Sequence, residues 1–136
     1  MVKINIEYQS NLRCGATHGP SGTRLYTDAP VDNNGKGESF SPTDLVGTAL
    51  GSCILTVMGI VAERIGVDMA GASAEVEKIM IVDPKRRIGE LKLRISVPGP
   101  VSEKDRKKLE RTALSCPVHK SLHPDIKMPI TFVWDA

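Results

Sequence analysis

The amino-acid sequence predicts an α+β fold with a mainly antiparallel sheet, and three observations support this. Short stretches that alternate apolar and polar residues flank one long apolar stretch, 45–65, in which apolar residues recur at helical spacing. Several of the strand-like stretches are neighbours joined by short turns containing Pro or Gly, as in antiparallel hairpins. The length of 136 residues suits one hydrophobic core, so we expect a single domain over 1–136.

Composition excludes several classes of protein. With 40% hydrophobic and 25% charged residues, the chain is too apolar to be disordered. A net charge of +2 is too small to indicate binding to nucleic acid or to an anionic membrane, and 4% aromatic residues is too few for base-stacking surfaces. The apolar stretch 45–65 approaches the length of a membrane span, but Glu63 and Arg64 lie near its end and four small or hydroxyl residues lie along it. We therefore expect a buried central helix.

The first part of the chain predicts a small sheet. Residues 3–8 alternate with period two and predict the first strand, and the alternation in this segment is unlike a signal peptide. Residues 12–18 and 23–27 predict two shorter strands, with Gly19-Pro20-Ser21-Gly22 as the turn between them. Residues 29–39 are rich in Pro, Asn and Gly and predict a loop.

The start of the long helix is well marked. Ser41 can cap it, Pro42 suits the first helical position, and Asp44 favours the positive end of the helix dipole. Gly66 is a plausible end. Because the apolar residues cover much of the circumference, we expect this helix to be buried on several sides.

The second part of the chain predicts two strands, two helices and a last strand. The polar turn 83–87 contains Pro and predicts a hairpin, and Ser102 with Asp105 has the spacing of a capping box. The predicted bounds are 72–82 and 89–97 for the hairpin strands, 102–115 for the charged helix, a short helix opened by Cys116-Pro117, and 129–134 for the last strand.

Three cysteines, Cys14, Cys53 and Cys116, are too few and odd in number for a disulfide framework, which favours a reducing compartment, the cytoplasm. Cys53 lies in the apolar helix, where most free cysteines are small buried hydrophobes. The small residues around it, among them Gly47 and Gly51, would instead allow a ligand or another backbone to approach closely.

Cys116 precedes Pro117 and is predicted to cap a short helix, where exposed amides and the helix dipole favour a thiolate. Cys116 and His119 form one C-x-x-H pair without a second pair, so we do not expect zinc. A cysteine hydrolase would need a histidine beside its nucleophile, and the sequence pairs none of the three histidines with Cys53.

The segments 41–53 (SPTDLVGTALGSC) and 116–120 (CPVHK) together resemble the OsmC/Ohr family of osmotically induced and organic-hydroperoxide-resistance proteins. The order of predicted elements agrees over essentially the whole chain. The resemblance implies an OsmC/Ohr-like α+β fold with antiparallel sheets packed around a long central cysteine-bearing helix. It also implies an intertwined homodimer with active sites at the subunit interface.

The resemblance further implies a thiol-dependent peroxidase that reduces lipid-like organic hydroperoxides without a metal or organic cofactor. Cys53 matches the peroxidatic cysteine and Cys116 the resolving cysteine, with an external dithiol, lipoyl-type in this family, as reductant. Arg13 matches the arginine that holds the thiolate, and Arg24 is the alternative. Thr43 stands where the family has Glu, beside Asp44, and either is a candidate substitute. A second hypothesis is a dimeric protein that binds a small apolar ligand or senses redox state without turnover.

Overall fold

The computed structural model describes residues 1–135. The chain divides into two compact units, 1–46 and the part from Gly47 onward. Each unit contains a three-stranded sheet. The predicted α+β class is therefore confirmed, and we describe the units in turn.

The N-terminal unit is an antiparallel sheet of β1 (Ile4–Tyr8), β2 (Arg13–His18) and β3 (Arg24–Asp28), in that order. All three strands begin one residue later than predicted. The turn between β1 and β2 takes the left-handed conformation at three successive residues, 10–12, and β2 and β3 are joined across the predicted Gly/Pro turn. The register sets Arg13 directly opposite Asp28, which places the two side chains on one face of the sheet.

The predicted loop 29–39 contains one short 3-10 turn, Val31–Asn33, and leads into helix α1 (Pro42–Ile65). The Asp44 amide donates to Ser41 Oγ at 3.1 Å, and the Ser41 amide donates to Asp44 Oδ2 at 2.9 Å. This reciprocal capping box satisfies two backbone donors and explains why the helix begins at the predicted residue. The helix ends before Gly66, which has a φ of 75°.

The second unit holds a mixed sheet of β4 (Ser73–Ile81), β5 (Arg87–Val97) and β6 (Ile130–Trp134). The hairpin β4–β5 is antiparallel as predicted, but β6 lies parallel to β5. Between β5 and β6 the chain forms α2 (Glu103–Ala113) and α3 (Pro117–Ser121). A helical connection of this kind is long enough to return the chain to the starting edge, as a parallel pairing requires.

The core of the second unit lies between α1, β5 and α2. One stripe of α1 is buried, together with alternate residues of β5 and two residues of α2: Leu50, Ile54, Met58, Ala62, Leu91, Leu93, Ile95, Val97, Leu109 and Ala113. The prediction that α1 is buried on several sides is wrong for the single chain, because much of its apolar surface stays partly exposed and Ile60 is 47% exposed. By length and composition alone α1 could cross a membrane, a test that core helices of soluble proteins also pass.

Candidate active site

The structure brings two of the predicted site residues together. Cys53 lies in the middle of α1 and is partly exposed, whereas Cys116 precedes α3 as its N-cap and is fully buried. The Cys53 side chain is near enough to Cys116 to raise the pKa of its thiol, and both cysteines are free thiols.

The surroundings of Cys116 correct the expectation that its sulfur is a thiolate. The His119 amide donates to Cys116 Sγ at 3.4 Å, as predicted for a capping side chain, and this bond with the nearby Val118 amide lowers the pKa. Burial and the nearby Cys53 side chain act in the opposite direction and outweigh the amides, so the pKa of the Cys116 thiol is raised. Cys116 is therefore a protonated thiol at neutral pH.

Of the glycines near Cys53, Gly51 serves helix–sheet packing. A Cβ atom at Gly51 would lie 3.0 Å from Val76 Cγ2, whereas one at Gly47 would lie 3.4 Å from Val76 Cγ1, an ordinary van der Waals distance. Gly51 therefore lets α1 approach β4 closely. Leu50 and Ile54, which flank Cys53 along α1, are fully buried in the core and do not line an open surface.

Arg13 lies in the N-terminal unit, where it binds two carboxylates. Its Nη2 is 2.8 Å from Glu38 Oε2 and 3.4 Å from Asp28 Oδ2. Asp28 is buried, and the Glu38 amide, which donates to it at 3.0 Å, and the charge of Arg13 lower the pKa of its carboxyl group. Glu38 was missed from the sequence because it lies in an irregular loop, 25 residues from its partner. The alternative Arg24 instead stacks over Tyr26, 5.5 Å from the ring centroid.

Other candidate residues have simpler positions. Asp44 caps α1, which agrees with the expectation that it marks the helix start. His18 shares a hydrogen bond with Ser21, and His123 Nδ1 accepts from the Asp125 amide. Within residues 1–135, no group of three or more His, Cys, Asp or Glu side chains is arranged to hold a metal ion. Cys14 lies on β2 as a partly exposed free thiol.

The chain is an α+β protein with two three-stranded sheets and a long helix whose free cysteine lies near a second, helix-capping cysteine. The family model of OsmC-like proteins matches residues 35–131. The chain therefore belongs to the OsmC-like family, as the motifs at 41–53 and 116–120 indicated. No curated protein matches the chain at a significant level.

Solved structures agree with this assignment. A protein from Psychrobacter arcticus, described as an osmotic-stress-induced and detoxification-response protein, is 47% identical, with 97% of this chain and 96% of that chain covered and a TM-score of 0.92. Organic hydroperoxide resistance proteins from Legionella pneumophila and Bacillus subtilis share the fold at 14% identity, with TM-scores of 0.78 and 0.69. Coverage is 98% of this chain and 96% of the Legionella chain, and 97% of both chains for the Bacillus protein.

Proposed function

We propose that this protein is a thiol-dependent peroxidase that reduces lipid-like organic hydroperoxides. The observation that carries the proposal is the pair of neighbouring free thiols, Cys53 and Cys116. Some structural relatives are named organic hydroperoxide resistance proteins, which supports the substrate class. We assign Cys53 the peroxidatic role because it is the more exposed of the two sulfurs.

The reaction has three steps. The Cys53 thiolate attacks the distal oxygen of the hydroperoxide, the O–O bond breaks, and the leaving alkoxide takes a proton to become an alcohol. Cys53 is thereby oxidised to a sulfenic acid. Cys116, as a thiolate, attacks the Cys53 sulfur, and hydroxide leaves as water after protonation, which forms a disulfide. An external dithiol then supplies two electrons and two protons and is itself oxidised to a disulfide.

The nearness of the two thiols orders these steps. While Cys53 is reduced, Cys116 remains protonated and its S–H is available to donate to the Cys53 thiolate. Oxidation of Cys53 removes the negative charge that helps to raise the pKa of Cys116, whereas the His119 and Val118 amides that lower it remain. Burial, the largest cause of the raised pKa, persists, but Cys116 is a better nucleophile after Cys53 has reacted than before.

We further propose that Arg13 favours the Cys53 thiolate. A cysteine in the middle of a helix gains little from the helix dipole, which acts within the first turn, so a nearby cation must supply the stabilisation. The family resemblance assigns this role to Arg13, and the carboxylates of Asp28 and Glu38 would fix its guanidinium in one orientation.

We propose that the protein is a soluble homodimer in the cytoplasm. Much of the apolar surface of α1 is uncovered in the single chain, and the first sheet leaves Ile4, Ile6 and Tyr8 exposed. Apolar area of this extent is usually covered by a partner. A second copy, with the active site at the interface, agrees with the family resemblance.

Steady-state peroxidase activity with a dithiol reductant tests the proposal. We expect turnover of an organic hydroperoxide to exceed that of hydrogen peroxide, C53S to abolish it, and C116S to leave a Cys53 sulfenic acid that a trapping reagent captures. C14S is the matched control and should retain activity. If the wild type is oxidised only once per chain, the protein is instead a redox sensor or a binding protein.

A further inference from the structure

A groove between α2 and β6 lies outside the proposed cysteine chemistry. Its volume is about 540 Å³, within the range of small-ligand sites. Side chains from the last turns of α2 form one wall, and alternate residues of β6 with the segment before it form the floor. The proposed peroxidase reaction makes no use of these residues.

The floor of the groove is apolar. Ile130 and Phe132 point to the same side of β6, and Leu114, 56% exposed, forms an apolar edge at the end of α2. Trp134 follows on the same face and stacks on Phe132 with ring centroids 6.2 Å apart. Trp134 Nε1 donates to Glu110 Oε1 at 3.0 Å. This hydrogen bond fixes the indole and engages one oxygen of the Glu110 carboxylate.

The rim of the groove carries two positive charges, on Lys107 and Arg111, against one negative charge, on Glu110. Lys107 and Arg111 lie one helical turn apart on α2 and both line the groove. Arg111 makes no ion pair with any residue in the described range 1–135. Lys107 pairs only with Glu103, at 3.7 Å between two exposed side chains, and such a pair is weak and easily exchanged.

We propose that this groove binds a medium-chain acyl carboxylate. The alkyl chain would lie on Ile130, Phe132 and Leu114, and the carboxylate would bind the guanidinium of Arg111, which has the planar geometry for a two-point hydrogen bond. Lys107 adds a second positive charge one turn away. A neutral or cationic amphiphile of the same length could place its alkyl chain on the apolar floor, but its head group would not pair with the cationic side chains at the rim.

Fluorescence of Trp134, the only tryptophan in the chain, tests the proposal. The full-length protein is titrated with decanoate below its micellar concentration, and with decylammonium as a probe of opposite charge. We expect a saturable fluorescence change with decanoate and none with decylammonium. The affinity of R111Q for decanoate should be about tenfold lower, because a charge-assisted hydrogen bond is lost. K108Q is the matched control on the same helix, outside the groove, and should bind as the wild type does. L114S should also weaken binding, and because Leu114 is exposed, this substitution should not disturb the core.

Three binding results and one sedimentation result would overturn the proposal. The binding results are the absence of a saturable change with decanoate, an equal response to decylammonium, and equal affinities for R111Q and K108Q. A change of R111Q from dimer to monomer in sedimentation would also overturn it, because a second copy would then cover the groove. Peroxide turnover by C53S and wild type is measured independently, so failure of the acyl site is distinguishable from failure of the peroxidase proposal.

Discussion

At the scale of single residues, Cys116 has a raised pKa because it is buried and lies near Cys53. The pKa of this thiol is higher in the folded protein than in the unfolded chain, where it has its ordinary value of 9.0. The thiol therefore contributes stability that is fully present below pH 9.0 and is lost as the pH rises through the raised pKa. We expect the free energy of unfolding to fall more steeply in the wild type than in C116A as the pH rises above about 9. Urea denaturation under reducing conditions measures this, and parallel curves for the two proteins would contradict it.

Arg13 is the second residue with a testable role. A guanidinium stays charged at every relevant pH and favours a neighbouring thiolate. In a C14S/C116S background, R13A should slow iodoacetamide labelling of Cys53 at neutral pH by about tenfold, which corresponds to about 1.4 kcal/mol.

R24A is the matched control, because Arg24 lies on the same sheet and stacks on Tyr26. Unchanged labelling in R13A with slower labelling in R24A would transfer the role to Arg24. Unchanged labelling in both would remove the cation from the mechanism and favour a binding protein over a peroxidase.

The residues predicted correctly from the sequence are those whose partners are close along the chain. Ser41 with Asp44, and Ser102 with Asp105, form caps at a separation of three residues. The hydrogen bond from Arg13 to Glu38 depends on strand pairing and on the path of a loop, and neither leaves a local pattern in the sequence. The raised pKa of Cys116 likewise depends on burial and on Cys53, which compete with the cap that the sequence revealed.

At the scale of elements, the packing of α1 on β4 depends on Gly51. A Cβ atom there would lie 3.0 Å from Val76 Cγ2, and valine has little rotamer freedom with which to move away. We expect G51A to lower the free energy of unfolding by about 1 kcal/mol, because overpacking outweighs the gain in helix propensity.

G47A is the matched control. The corresponding contacts are 3.4 and 3.6 Å, which are ordinary van der Waals distances. We therefore expect it to raise stability by about 0.5–1 kcal/mol through helix propensity. Urea denaturation compares the two variants, and equal effects would show that the Val76 contact does not limit the packing.

Element types follow from the sequence more reliably than their pairing does. The alternation in 3–8 and the caps of α1 and α2 are local signals, and these elements form within two residues of their predicted bounds. The parallel position of β6 was not predicted, because the segment between β5 and β6 determines on which side and in which direction the chain returns. The apolar residues around α1 predicted burial on several sides, but the single chain leaves part of that apolar surface exposed.

At the scale of the whole molecule, we expect the protein to be a homodimer held by the uncovered face of α1. Ile60, in the second half of that helix, is 47% exposed. I60D should convert the dimer to a monomer, because a carboxylate would lose its hydration in an apolar interface. V82D is the control, since Val82 is 73% exposed and lies outside α1. Sedimentation velocity at micromolar concentration measures both, and a monomeric wild type would rule the dimer out.

In the proposed peroxidase, the burial of Cys116 also determines how the oxidised protein is returned to its reduced state. A disulfide has two sulfur atoms, and an incoming dithiol attacks the one that it can reach. Cys116 is fully buried whereas Cys53 is partly exposed, so the attack falls on Cys53 and Cys116 departs as the leaving thiol. A reductant with a single sulfhydryl should therefore be trapped as a mixed disulfide on Cys53, and peptide mass spectrometry would locate it. An adduct on Cys116 would show that the buried sulfur becomes accessible once the pair is oxidised.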